Sequence, residues 1–261
     1  MELFDSHAHY NDARFDEEYP GGRECAIRDA CTAGVTGILN AGTNPSTSRE
    51  SVRLAEEYPF FYAAAGLHPS DVSDFDVHFI QKALDEIRTI ASHPKCVAIG
   101  EIGLDYYWTD ENKNLQKEVF DRQLSMAEEL NLPVIIHDRD AHGDSMDIVF
   151  QHPNVHGVFH SFSGSPEMAR QLLRRGWFIS FSGPITYKNA NKVREAARIV
   201  PKDRILIETD APYLPPVPHR GEINFSGYLI HTASALADVL EISVEEVAHI
   251  TKDNALHLFS I

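Results

Sequence analysis

Two histidines two residues apart stand close to the amino terminus of this 261-residue chain. In Asp5-Ser6-His7-Ala8-His9 they follow a short apolar run, Leu3-Phe4. On a strand, alternate side chains share a face, so both imidazoles would point the same way. Imidazole is a common ligand for metals of intermediate softness. The spacing therefore suggests a metal site, with a pair of surface histidines as the alternative.

Further candidate ligands stand where other apolar runs end: Glu101, His137, His160 and Asp210. Each has another explanation, since a carboxylate can cap a helix and a histidine can lie in the core. Glu208 and Asp210 are two residues apart and would face the same way, so their roles are exchangeable. We favour Asp210 as the ligand because it is nearer the strand end, and Glu208 as an outer carboxylate that orients a ligating histidine.

Eight short apolar runs alternate with longer amphipathic segments, a pattern that predicts repeated strand and helix units. The predicted strands are Leu3 to Asp5, Gly37 to Ala41, Phe60 to Ala65, Val97 to Glu101, Pro133 to His137, Gly157 to His160, Trp177 to Phe181 and Ile205 to Glu208. The predicted helices include Arg23 to Ala33, Ser46 to Glu57, Val77 to Ser92, Asn114 to Leu130, Glu167 to Arg175 and Asn189 to Ile199. Two more helical patterns follow a Pro-rich loop after Asp210, and Ser243 to Glu246 predicts a capping box for the last.

Continuous apolar strands indicate a parallel sheet that is buried on both faces. Eight such units predict an α/β protein of the TIM-type (β/α)8 barrel class, with residues 1–261 as a single domain. An open doubly wound sheet is the alternative, but no Gly-rich phosphate fingerprint follows the first strand. In a barrel the carboxyl ends of the strands meet at one mouth, so four imidazoles and two carboxylates would gather there, enough for two divalent ions.

The composition is that of an acidic globular protein. With 39 acidic and 23 basic residues the net charge is −16, which opposes long tracking contacts with a phosphate backbone. Any polyanionic substrate must therefore be bound locally. Cys25, Cys31 and Cys96 form no C-x-x-C pair, as expected of a reduced protein. No leader or membrane-span pattern is visible, so we expect a soluble cytoplasmic protein without a membrane partner; no protein partner can be read from the sequence.

The motifs around these residues resemble those of the TatD family of metal-dependent hydrolases, within the amidohydrolase-like barrels, essentially from end to end. The matching stretches are Asp5-Ser6-His7-Ala8-His9, Gly66-Leu67-His68-Pro69, Gly100-Glu101-Ile102-Gly103-Leu104-Asp105-Tyr106-Tyr107, Leu132-Pro133-Val134-Ile135-Ile136-His137-Asp138-Arg139, His160-Ser161-Phe162-Ser163-Gly164-Ser165 and Glu208-Thr209-Asp210-Ala211-Pro212-Tyr213-Leu214. The resemblance implies a metal-dependent deoxyribonuclease that removes nucleotides from the end of a single strand of DNA, with RNA as a further candidate.

The resemblance also implies how the ligands divide. One metal would be held by His7, His9, Glu101 and Asp210, and the second by Glu101, His137 and His160, so that Glu101 bridges them. The two divalent ions would be Mg²⁺, Mn²⁺ or Zn²⁺, because nitrogen ligands suit zinc and manganese whereas phosphate chemistry often uses magnesium. Between two ions a water loses its proton near neutral pH and attacks phosphorus, and we expect Asp210 to take that proton and return it to the leaving oxygen.

Substrate binding would then depend on loop residues at the mouth: His68, Arg139, Ser161, Ser163, Tyr187 and Arg220. Arg139 can bind a phosphate through two N–H groups or pair with a nearby aspartate. Tyr187 and Trp108 can stack on a base or pack internally. Departures from the family pattern, at Glu222, Ser226-Gly227 and Ser70, leave open a smaller phosphoester, or an acyl or amide substrate. A third hypothesis is a binding or scaffold protein that has kept the barrel without turnover.

Overall fold

The computed structural model describes residues 1–72, 77–107 and 112–261. Trp108, a candidate for base stacking, lies outside the described residues. The eight strands are β1 (Leu3–Ala8), β2 (Val35–Ala41), β3 (Phe61–Ala65), β4 (Cys96–Asp105), β5 (Val134–Arg139), β6 (Gly157–Phe159), β7 (Phe178–Phe181) and β8 (Ile205–Ile207). Each of the eight overlaps a predicted strand. The main differences are that β1, β4 and β5 continue past their predicted ends.

The strands belong to one eight-stranded sheet in the order β1 to β8. The pairs β1–β2, β3–β4, β4–β5, β5–β6 and β7–β8 are parallel. The segment after β8 returns to β1, since the Asp210 N–H donates to the His7 carbonyl at 2.9 Å and the His9 N–H donates to the Ala211 carbonyl at 2.7 Å. This strand order is that of a TIM-type (β/α)8 fold, so the predicted fold class is confirmed.

The helices of the described residues are α1 (Arg14–Glu18), α2 (Gly22–Thr32), α3 (Pro45–Glu57), α4 (Pro69–Val72), α5 (Val77–Ala91), α6 (Lys113–Leu130), α7 (His142–Val149), α8 (Pro166–Leu173), α9 (Asn191–Ala197), α10 (Leu229–Leu240) and α11 (Val244–Phe259). The predictions did not include α1, α4 and α7, which are short and bury few apolar side chains. Short 3₁₀ turns lie at Gly183–Thr186, Lys202–Arg204 and Ser226–Tyr228.

Side-chain caps explain where several helices begin. Asn44 accepts hydrogen bonds from the Ser46 and Thr47 N–H groups, and Thr47 completes the capping box of α3. Ser165 caps α8 by accepting from the Met168 N–H at 3.2 Å. Ser243 Oγ likewise accepts from the Glu246 N–H at 3.1 Å, which is one of the two hydrogen bonds of the capping box predicted for α11.

The chain divides into two compact units, one formed by residues 1–40 and 160–258 (unit one) and the other by residues 41–159 and 259–261 (unit two). In unit one, β1 is fully buried, His7 included, and the core also includes Phe15, Trp177 and Phe181. In unit two, every residue of β4 is buried, and the core includes Phe61 and Phe120. Organisation as a single domain stays a prediction.

The part of the chain that the structure describes contains no helix long and apolar enough to cross a membrane.

Candidate metal centre

In unit one, the two histidines of the first strand converge with the aspartate that follows β8. The Nε2 atoms of His7 and His9 lie 3.0 Å apart. Asp210 Oδ1 lies 3.5 Å from His7 Nε2 and 3.4 Å from His9 Nε2. The strand places both imidazoles on one side, as the His-x-His spacing predicted, and the Asp210–His7 backbone bond brings the carboxylate to them.

These three atoms have the spacing of metal ligands. Two atoms bonded to one metal at about 2.1 Å lie roughly 3.0 to 3.5 Å apart in octahedral or tetrahedral geometry. Nitrogen and carboxylate oxygen together suit zinc, manganese or cobalt, and magnesium through its oxygen ligands. Burial opposes ionisation of Asp210, but the His9 hydrogen bond and the surrounding imidazoles outweigh it and lower the pKa of the Asp210 carboxyl. The Asp210 carboxyl group is therefore ionised at neutral pH and can bind a cation.

His160 joins this cluster from the end of β6. Its ring stacks on that of His7, with centroids 4.1 Å apart, and a group formed by His7, His160 and Asp210 has metal-ligand spacing. The resemblance had assigned His160 to the other metal, with Glu101 and His137. Glu208 fits the predicted outer position, because its Oε1 lies 3.1 Å from His160 Nδ1 and also accepts from the Ser161 N–H at 2.8 Å.

A buried carboxylate beneath the cluster joins three parts of unit one. Asp5 accepts hydrogen bonds from Thr209 N at 2.9 Å, Thr209 Oγ1 at 2.5 Å and Ser226 Oγ at 2.6 Å. Burial raises the pKa of Asp5 to about 6, although these hydrogen bonds favour the ionised form. Asp5 thus ties β1 to Thr209, which precedes Asp210, and to Ser226 in the Ser226–Tyr228 turn. This role of Asp5 was not predicted from the sequence.

In unit two, a second cluster forms around Glu101. Glu101 Oε1 lies 2.7 Å from His137 Nδ1 and 3.4 Å from His68 Nε2. His137 Nε2 faces Asp105 Oδ2 at 3.2 Å. His68, Glu101 and His137 together have metal-ligand spacing. His68 had been predicted to bind substrate, and Asp105 had not been singled out at all.

Asp105 was missed because β4 is longer than the predicted strand. The predicted strand ended at Glu101, but β4 runs to Asp105, which places residues 101, 103 and 105 on one face. Gly103 lies between them at φ 143°, where a Cβ atom would meet the His137 carbonyl oxygen at 2.0 Å. Glycine at this position therefore allows the backbone carrying Glu101 and Asp105 to approach β5 closely.

Two buried glutamines of α6, seven residues apart and so on one face, hold the backbone of this cluster. Gln123 accepts from the Leu67 N–H at 2.7 Å and donates to the Leu67 carbonyl at 3.0 Å, next to His68. Gln116 makes the same pair of bonds with Asp105, at 3.0 and 3.1 Å. The sequence signal that could have identified Gln116 and Gln123 is a polar residue on the apolar face of an amphipathic helix.

Two of the predicted substrate-binding residues are arginines, and each of them stacks on a tyrosine. The Arg139 guanidinium lies 3.9 Å from the ring centroid of Tyr107, a residue that the sequence suggested as a packing residue and that is 55% exposed. In unit one the Arg220 guanidinium lies 4.1 Å from the Tyr187 ring. Arg139 and Arg220 are both exposed, so an anion can reach them.

The predicted serine contacts differ in their surroundings. Ser161 Oγ is within 2.6 Å of Ser182 Oγ, and its N–H is committed to Glu208. Ser163 is exposed. The roles of both serines in substrate binding stay predictions.

Comparison with known proteins agrees with this geometry. The family model described as TatD related DNase matches residues 4–260. The chain is 42% identical to the uncharacterized metal-dependent hydrolase YabD of Bacillus subtilis, covering 99% of each chain. It is 37% identical to the uncharacterized metal-dependent hydrolase YcfH of Escherichia coli K12, covering 100% of this chain and 97% of the relative. The crystal structure of YJJV, a TatD homolog of E. coli K12, superposes with a TM-score of 0.91 at 30% identity, covering 99% and 98% of the two chains.

The fold and the two histidine–carboxylate clusters define a metal-dependent hydrolase built on a (β/α)8 barrel. The chain belongs to the TatD-related DNase family, and the resemblance read from its motifs is confirmed.

Proposed function

We propose that this hydrolase is a nuclease that removes nucleotides from an end of single-stranded DNA by a metal-dependent reaction. The observation that carries the proposal is the convergence of His7 Nε2, His9 Nε2 and Asp210 Oδ1 within 3.5 Å of one another, in a chain of this family. Such a site is suited to a phosphodiester because it concentrates cationic charge within a protein whose net charge is −16.

In this proposal the divalent ions would be Mg²⁺, Mn²⁺ or Zn²⁺, and the residues that would hold them are His7, His9, Glu101, His137, His160 and Asp210. When bound, such ions acidify water and stabilise the charge that develops on the phosphate oxygens. His68 is within reach of Glu101 and is a further candidate ligand.

The chain's own residues would supply the remaining chemistry. Asp210 accepts the proton of the attacking water and returns it to the leaving 3′ or 5′ oxygen. Glu208 orients His160 through its Nδ1. Arg139 and Arg220, each stacked on a tyrosine, would bind phosphates through guanidinium N–H groups, since stacking on a ring face keeps the guanidinium plane fixed.

The test is digestion of a single-stranded DNA oligonucleotide labelled at one end, with labels at the 5′ and 3′ ends in separate reactions. We expect stepwise shortening from one end with Mg²⁺, Mn²⁺ or Zn²⁺ and none with EDTA. His7→Gln should abolish it, whereas His249→Gln, which changes an exposed histidine on α11, should not. A metal-loaded protein that leaves every DNA and RNA oligonucleotide intact would contradict the proposal.

A second candidate is a hydrolase of another ester or amide bond that uses the same metal centre. It is favoured by Glu222, which puts a carboxylate two residues after Arg220 where the family pattern has a basic residue. Release of product from a small phosphoester, an acyl ester or a dipeptide, with no cleavage of oligonucleotides, would identify this function.

A further inference from the structure

A second pair of histidines in unit one faces each other outside the candidate metal centre. His219 Nε2 lies 3.2 Å from His231 Nε2, close to the 3.0 Å separation of His7 and His9. His219 belongs to the loop before the Ser226–Tyr228 turn, and His231 lies in the first turn of α10. The ring centroids are 4.9 Å apart and the rings are tilted by 55°, so the two rings approach each other through their Nε2 atoms.

Neighbouring groups fix His219 in this orientation. Its ring stacks on Tyr228 with centroids 3.7 Å apart and an interplanar angle of 8°. Its Nδ1–H donates to Glu222 Oε2 at 2.9 Å, and the Tyr228 hydroxyl donates to the same oxygen at 2.7 Å. These two hydrogen bonds lower the pKa of Glu222, so the carboxylate is ionised at neutral pH. A carboxylate on Nδ1 sets the tautomer that leaves a lone pair on His219 Nε2.

His231 is equally suited to act as a ligand. Its ring is partly buried. A helix holds its backbone. Beside it is an open cavity of about 510 Å³, lined by Thr186, Val217, His231 and Ser234 among others, through which water can reach the His231 side chain.

We propose that His219 and His231 bind a divalent transition-metal ion of the zinc, nickel or cobalt type, at a site separate from the hydrolytic centre. The 3.2 Å separation is that of two imidazoles bonded to one ion at about 2.1 Å. Glu222 is the outer carboxylate that orients His219, an arrangement common at histidine metal sites. We do not expect Mg²⁺ to bind at this site, because it prefers oxygen donors. The proposal is independent of the reaction that the hydrolytic centre catalyses.

Such an ion would tether the 219–222 segment to the start of α10. Arg220 lies in that segment, with its guanidinium over Tyr187. Binding of the ion would therefore restrict the arginine that we assign to substrate phosphate. Without it, the contact between the two histidines is a single N–H···N hydrogen bond.

The first measurement is the number of Zn²⁺ ions per chain after equilibrium dialysis, determined by mass spectrometry of the metal. We expect His219→Gln and His231→Gln each to bind one Zn²⁺ fewer than the unchanged protein. The matched control is His249→Gln, because His249 is an exposed histidine on α11 whose side chain is 74% exposed, and its Zn²⁺ content should equal that of the unchanged protein. Glu222→Gln should weaken binding at this site by about 10- to 100-fold.

A second measurement does not depend on variants that fold. Crystals of the unchanged protein soaked in Zn²⁺ should show an anomalous peak at the zinc edge between the two Nε2 atoms, and excess Mg²⁺ should not displace it. Equal Zn²⁺ content in the unchanged protein and both glutamine variants, or the absence of a peak between these atoms, would overturn the proposal.

Discussion

Asp210 has two tasks in the proposed reaction, as a ligand and as a proton acceptor. Its φ of 59° lies in the left-handed region, which aspartate tolerates better than most residues because its short side chain can bond locally. Its N–H is bonded to the His7 carbonyl, so the position of the carboxylate is set by the strand that carries the two histidines. A change at this residue should therefore affect chemistry more than folding.

The substitution Asp210→Asn tests this division. We expect the variant to keep most of its metal, since the amide oxygen can still coordinate, and to lose roughly 10²- to 10⁴-fold in kcat through loss of the proton acceptor. Metal content and the steady-state rate on the oligonucleotide should be measured on the same preparation. A near-normal rate with normal metal content would remove Asp210 from this role.

Asp5 gives a prediction on the pH dependence of stability. Its folded pKa of about 6 exceeds the ordinary value of 3.8, so the folded state binds the proton more tightly than the unfolded state. In the metal-free protein, the unfolding free energy should therefore fall as pH rises from about 4 through 6, by on the order of 2 kcal/mol. Asp5→Asn should make this part of the profile flatter.

Urea denaturation in EDTA at several pH values between 4 and 7 measures this difference. Ser226→Ala is a useful comparison, since it removes one hydrogen bond to Asp5 but leaves the carboxyl group in place. Parallel profiles for the unchanged protein and Asp5→Asn would show that Asp5 does not titrate in this range.

At the scale of elements, each cluster is positioned by strand ends and held by a neighbouring segment. In unit one the loop after β8 bonds back to β1, and Asp5 joins the two. In unit two, α6 supports the ends of β3 and β4 with one glutamine each. The polar side chains that make these contacts are buried. Removing one of them leaves the backbone groups that it bonds without a hydrogen-bond partner.

The substitution Gln123→Ala should accordingly destabilise the protein by about 1 to 3 kcal/mol, because both the N–H and the carbonyl of Leu67 lose their partner in a buried location. Gln81→Ala, at an exposed position on α5, is the matched control and should change the unfolding free energy little. Both can be measured by urea denaturation. Equal effects of the two changes would show that the Gln123 amide does not hold this segment.

The whole molecule is acidic, and this limits how it can bind nucleic acid. With a net charge of −16, long-range attraction to a polyanion is absent, so affinity must come from bound cations and a few arginines. This differs from nucleic-acid-binding proteins that follow the backbone along a basic surface. The charge therefore predicts that divalent ions control binding as well as turnover.

Binding of a fluorescent single-stranded oligonucleotide to Asp210→Asn, followed by anisotropy, measures this dependence without cleavage. We expect at least a tenfold loss of affinity in EDTA. In the presence of metal, the logarithm of affinity should fall with the logarithm of NaCl concentration with a slope of roughly −1.4, which corresponds to two phosphate contacts on a single strand. Binding that is insensitive to both metal and salt would contradict this electrostatic account.

Much of the fold could be predicted from the sequence, because local patterns record it. The eight apolar runs correspond to the eight strands, and the predicted Ser243 cap marks the start of α11. The extent of β4 could not be predicted, because Gly103 interrupts the pattern at a place where the backbone approaches His137. The short helices α1, α4 and α7 were missed because they bury too few apolar residues to leave a period.

The sequence by itself determined the strand order, the family and six candidate metal ligands, because these depend on residue type and local spacing. Only the tertiary structure decided which side chains meet: His160 with His7, His68 with Glu101, Asp5 with Thr209 and Ser226, and His219 with His231. Such contacts join residues that are 12 to 221 positions apart in the chain. Their distances depend on how strands and loops pack, which local sequence does not encode.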